Sequence, residues 1–174
     1  MQKTPKGFRL HIGLFGRRNV GKSSLLNAMT RQAVSIVSDV AGTTTDPVEK
    51  PMELLPIGPV LFIDTAGIDD VGALGELRVQ RTRQIFDRTD VGMVVCPAGQ
   101  WGPYEEAVLS ELQGRGAPAI VVFNKADLGG PEPALVERLK AAKVRTVSTV
   151  ASRGEGIIDL REALIRQAPE EFIN

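Results

Sequence analysis

The chain has 174 residues, 43% of them hydrophobic, which is enough for one globular domain with a substantial core. Lysine plus arginine and aspartate plus glutamate each number 21, so no net field draws it to nucleic acid or an anionic membrane, and only a local patch could do so. One cysteine and one histidine exclude an internal disulfide or a cysteine metal cluster, no apolar run approaches the about 20 residues of a membrane span, and Met1–Arg9 lacks a signal-peptide core; a cytoplasmic location is expected.

Residues 9–15 open as a strand, with Leu10, Ile12 and Leu14 alternating against His11 and Gly13, so that His11 reads as a residue of the less apolar face. The next residues, Gly16-Arg17-Arg18-Asn19-Val20-Gly21-Lys22-Ser23, match the phosphate-binding pattern Gly-x4-Gly-Lys-Ser/Thr. A loop that wraps a chain of phosphates must turn its amides inward, and Gly16 and Gly21 are expected to adopt backbone angles that a side chain forbids. Asn19, Val20, Gly21, Lys22, Ser23 and Ser24 would then form the phosphate site. Lys22 supplies a compact charge for the outer phosphates and Ser23 a hydroxyl for Mg2+, while a helix over 24–30 brings its positive dipole end. Arg17 and Arg18 suit surface or interdomain contact better than a catalytic arginine acting in cis, because such a loop crowds its side chains outward.

Residues 31–47 form a connection longer than a compact domain tolerates without a functional reason, which marks a switch. Residues 47–57 read as a further strand, joined antiparallel to a strand at 60–64 by the Pro-Gly-Pro turn within Leu54–Pro59. Asp64-Thr65-Ala66-Gly67 follows, where Asp64 can hold Mg2+ through water and the Gly67 amide can approach a terminal phosphate. A helix at 76–88 precedes the apolar strand 91–96, whose Cys96 reads as a small core residue, and Trp101 is expected to pack on the next helix at 103–114.

The strand at 119–124 closes with Asn124-Lys125-Ala126-Asp127. A carboxylate at Asp127 can accept both the N1 proton and the exocyclic amine of guanine, a donor pair that adenine lacks, so such a site rejects the wrong base strongly. Lys125 can lay its alkyl stem on the base. A helix at 132–142, a strand at 144–149 and a helix at 157–167 complete the chain. Strands alternating with helices imply a parallel sheet covered on both faces.

Together, Gly16–Ser23, Thr44, Asp64–Gly67 and Asn124–Asp127 resemble the translation-factor-like GTPases of the Era, EngA and MnmE families, over the whole chain. The implied fold is a three-layer α/β P-loop GTPase domain spanning 1–174, with linkers at about 1–8 and 169–174. Its six-stranded sheet would be mostly parallel with one antiparallel edge strand, under about five helices. More narrowly, residues 16–24, Ser38–Val48 and Asp64–Asp70 look like the GTPase domain of HydF, the FeFe-hydrogenase maturation GTPase. That resemblance implies GTP or GDP with Mg2+ held by Ser23, Thr44 and Asp64, and Thr44 sensing the terminal phosphate. Thr45 stands where the relatives commonly have arginine, and Val150-Ala151-Ser152 where they usually have Ser-Ala-Lys, although the Ala151 amide can still face guanine O6.

Ile68 occupies the place where Ras-like enzymes carry the glutamine that orients water. Likeness to potassium-activated relatives offers Asn19 as a K+ ligand and Glu76 as the group that positions water. The implied catalytic set is Asn19, Lys22, Thr44, Gly67 and Glu76. The HydF likeness further implies a longer protein with dimerisation and iron-sulfur-cluster domains, a possible homodimer, and HydE, HydG and the hydrogenase as partners; with one cysteine and one histidine, these 174 residues are expected to carry neither those domains nor a cluster. Two other readings stand beside it: a ribosome- or tRNA-associated GTPase, which the balanced charge disfavours, and a guanine-nucleotide binder with negligible turnover.

Overall fold

Aliphatic and β-branched runs set the strands, and the computed structural model describes residues 9–17, 20–32, 48–54, 57–64, 83–97 and 99–169. The strands are β1 (Leu10–Phe15), β2 (Val48–Leu54), β3 (Gly58–Asp64), β4 (Val91–Pro97), β5 (Ala119–Asn124) and β6 (Arg145–Ser148). The helices are α1 (Lys22–Gln32), α2 (residues 83–88), α3 (Pro103–Gly114), α4 (Pro133–Ala141) and α5 (Ile157–Gln167), with 3-10 turns at Ala126–Leu128 and Ala151–Arg153.

The strands form one sheet in the order β2-β3-β1-β4-β5-β6, parallel except for β2, which runs antiparallel to β3 at the edge. Pro51 lies opposite Leu61 in that edge strand, a position where a missing N–H costs no ladder bond on the outer side. Side-chain alternation sorts the core onto two faces. Leu10, Ile12, Leu14, Met93, Val95, Ile120 and Val122 pack with α1 and α5, whereas Phe15, Val94, Val121 and Phe123 pack with α2, α3 and α4. Because both faces are covered, β4 and β5 are buried along their whole length, which is why they read as unbroken apolar runs. Cys96 lies fully inside, and burial pushes its thiol up to about 11, in keeping with a core role.

The expected alternation is present, with small shifts that have local causes. Helix α1 begins at Lys22 rather than at residue 24, because the Gly21 carbonyl already accepts the Leu25 amide at 2.9 Å. Strand β2 stops at Leu54, and β3 starts at Gly58, whose φ of 97° makes the corner after the hairpin turn. Strand β6 ends at Ser148; at Thr149 the carbonyl accepts the Ala126 amide at 3.0 Å and the hydroxyl donates to Asn124. Of the helix expected at 76–88, residues 83–88 are helical and 76–82 lie outside the described residues.

Strand order reverses at β1: the chain crosses first to β3 on one side and later to β4 on the other. In such sheets the crevice beyond the carboxyl ends of the strands at this switch point is where ligands bind. The phosphate-loop sequence leaves β1 at that place.

Candidate functional site

The loop between β1 and α1 is shaped by its glycines for two different reasons. Gly21 has φ 96°, and a Cβ there would stand 2.2 Å from Asn124 Nδ2. Gly16 is not in a left-handed conformation, contrary to the expectation from sequence; its constraint is space, since a Cβ would come within 2.9 Å of the Val95 carbonyl oxygen and 2.8 Å of Val20 Cγ2. Lys22 folds back across the loop. Its Nζ donates to the Gly16 carbonyl at 2.6 Å and lies 3.7 Å from Asp64 Oδ1, with both side chains almost fully buried. A buried ammonium requires such partners, and they hold it between the loop and the end of β3.

Ser23 and Ser24 stand exposed in the first turn of α1, beside the helix's positive dipole end. The oxygens of Ser23 and Asp64 are hard ligands of the kind Mg2+ takes, so the described residues fit that ion, which the phosphates of a nucleotide would share. Among the described residues no group of three or more His, Cys, Asp or Glu side chains could hold a metal by protein ligands alone. Asn19, Thr44, Gly67 and Glu76 lie outside the described residues.

At the end of β5, Asn124 is 2% exposed and joins both halves of the site. Its Nδ2 donates to the Val20 carbonyl at 3.0 Å, and its Oδ1 accepts the Thr149 hydroxyl at 2.9 Å and the Ala151 amide at 3.1 Å. The amide assigned to guanine O6 therefore already has a carboxamide partner, and would have to share or exchange it. Lys125 takes a left-handed conformation, φ 58°, that starts the turn carrying Asp127. The Ala126 amide donates to the Thr149 carbonyl at 3.0 Å, which seats that turn beside the Ala151 turn. Asp127 is 3.8 Å from Arg153, a loose and solvent-facing pair that leaves the carboxylate within reach of a base.

The other singled-out residues have definite places. Arg17 donates to Glu105 of α3 and to the Gln100 carbonyl, with its side chain still 42% exposed, and is thereby held against α3. Arg18 lies outside the described residues. Trp101 packs as expected: its Nε1 donates to Glu106 Oε2 at 2.5 Å and its ring lies 6.5 Å from that of Phe123. The His11 amide donates to Asp90 Oδ2 at 2.8 Å, with the ring nitrogen Nδ1 3.6 Å from the same oxygen. Sequence reasoning missed Thr149, Arg153 and Glu105. Each comes from an element far along the chain, and no local pattern marks any of them.

A phosphate loop with its lysine held at the strand end, an acid at the end of β3 and an Asn-Lys-x-Asp turn at the end of β5 define a GTP-binding domain of the P-loop class. The chain belongs to the family described as 50S ribosome-binding GTPase, whose pattern matches residues 11–125. It is 40% identical over 158 residues to the tRNA modification GTPase MnmE of Synechococcus sp. strain JA-3-3Ab, covering 88% of this chain and 32% of that protein. It is 34% identical over 172 residues to the GTPase Der of Wolinella succinogenes, covering 94% and 36%. Among solved structures, Aquifex aeolicus Era bound to GDP and AlF4− superposes with a TM-score of 0.70 at 30% identity, over 91% of this chain and 56% of that one. The chain thus spans about a third of the length of the curated relatives it matches.

Proposed function

We propose that this GTPase domain works as a slow nucleotide-controlled switch: GTP with Mg2+ orders the segments around Thr44 and Gly67, hydrolysis releases them, and a neighbouring domain or partner reads the change. The observation that carries the reading is the Asn124 node, which ties the phosphate loop, through Val20, to the turns that would face the base, through Thr149 and Ala151. One bound nucleotide would therefore engage both. Lys22 would hold the outer phosphates and Asp127 the guanine, while Ser23, Asp64 and Thr44 would hold Mg2+, which neutralises charge on the phosphates. For hydrolysis, Asn19 is proposed to bind K+ and Glu76 to position water.

For the process served, the names of the relatives favour an RNA-associated role, since MnmE is named a tRNA modification GTPase and a solved Era complex contains 16S ribosomal RNA. The reading as a hydrogenase-maturation GTPase, with HydE, HydG and the hydrogenase as partners, is supported by the likeness of residues 16–24, 38–48 and 64–70 to the HydF GTPase domain. GTP turnover in KCl and in NaCl at matched ionic strength, with Asn19→Ala beside the wild type, tests the catalytic part. A K+-dependent rise lost in Asn19→Ala is expected; equal rates in both salts would overturn it. Filter binding to tRNA and ribosomal RNA separates the two processes, with retention favouring the first and its absence the second.

A further inference from the structure

The phosphate loop is fixed by a charge that its own sequence pattern does not contain. Glu105, in the first turn of α3, is 0% exposed. Its Oε1 accepts the Gly102 amide at 2.8 Å, a capping contact that would by itself leave a glutamate at the surface. The rest of the carboxylate is taken by Arg17: Nε donates to Oε2 at 2.9 Å and a terminal nitrogen to Oε1 at 3.3 Å, the paired fork by which arginine binds a carboxylate. The guanidinium also donates to the Gln100 carbonyl. A carboxylate this deep costs stability unless it is paired, so the fold has built the acid around the arginine.

We propose that Glu105 is a positioning residue for nucleotide binding, acting through Arg17 to hold the base of the phosphate loop in its binding geometry. Arg17 directly follows Gly16, whose carbonyl accepts the Lys22 ammonium and whose Cα has no room for a side chain beside Val95. Anchoring Arg17 to α3 fixes that carbonyl, and with it the reach of Lys22. The base of the loop then enters binding already held, and the cost of ordering Gly16 and Arg17 is met in folding. Such a residue acts on affinity and not on the chemical step.

The inference rests on the nucleotide reading, which wild-type binding of a fluorescent GDP analogue tests separately. With that binding in hand, Arg17→Leu, Glu105→Gln and the double variant are compared for GDP affinity, KM and kcat for GTP, and melting temperature. Glu105→Gln keeps an oxygen for the Gly102 amide, so loss of the cap is not what it measures. Each single change is expected to weaken GDP binding and raise KM by about tenfold, with kcat at saturating GTP changed by less than about twofold. The double variant should bind no more weakly than the weaker single one. Wild-type affinity in folded single variants, or losses that multiply in the double variant, would overturn the proposal. If an orphaned charge prevents a single variant from folding, the double variant, which carries neither charge, decides the matter by its own affinity.

Discussion

Asn124→Ala removes three hydrogen bonds at once, to Val20, Thr149 and Ala151, from a side chain with almost no contact with solvent. At a net of about 1 kcal/mol each, the loss is about 3 kcal/mol, and more if the orphaned carbonyl, hydroxyl and amide find no water. A domain with about 5–15 kcal/mol of stability survives this. For a chain of this size each kcal/mol shifts the melting temperature by about 2–4 °C, so a fall of about 6–12 °C is expected. Thermal unfolding by circular dichroism reads the shift, with Asp127→Ala as comparison. Its pair with the solvent-facing Arg153, at 3.8 Å, is worth less than about 1 kcal/mol. Both variants should bind guanine nucleotide poorly, but only Asn124→Ala should melt early. A melting temperature for Asn124→Ala within about 2 °C of wild type would refute the account of Asn124 as a structural node.

Asp127→Asn exchanges one acceptor for a donor, so affinity for GDP should fall by about two orders of magnitude while xanthosine diphosphate, with a carbonyl in place of the amine, binds better; unchanged base preference in competition titrations would count against Asp127 as the base contact. Gly21→Ala forces a side chain into φ 96° and onto Asn124 Nδ2, and should lower GDP affinity by about tenfold or more; a wild-type titration curve would show that the loop has room. Burial lowers the pKa of His11, with the charge of Asp90 opposing in part. The folded state then binds fewer protons than the unfolded chain, whose histidine titrates near about 6.5. Stability from this source is complete above that pH and is lost as the pH falls through about 6.5 toward the lowered folded value. His11→Gln should flatten that part of the profile in urea unfolding, and a slope identical to wild type would remove His11 as its source.

The sheet was legible from sequence because its signals are local. β4 and β5 are unbroken apolar runs, the Pro-Ile-Gly-Pro stretch at 56–59 marks the join of β2 and β3, and α3 begins with Pro103 in its first turn. The phosphate and base motifs were legible for the same reason, each being contiguous at the end of one strand. Contacts across the sheet were not. Arg17 and Glu105 are separated by 88 positions and meet only because β4 lies beside β1, and neither residue's spacing reveals the other. Gly16 shows a related limit: its type was rightly singled out, but the closeness of Val95 explains it, not its backbone angle.

Asn124 has a consequence for how such a domain can diversify. One carboxamide ties the loop proposed for the phosphates to the turns proposed for the base, so a lineage that altered it would damage both ends of the proposed site together. Asp127 lies at the rim and bears little of the fold's stability. On the proposed base contact, changes in which base is read can therefore accumulate at residue 127 while residue 124 stays fixed, and the site can be retuned for a new nucleotide without being rebuilt.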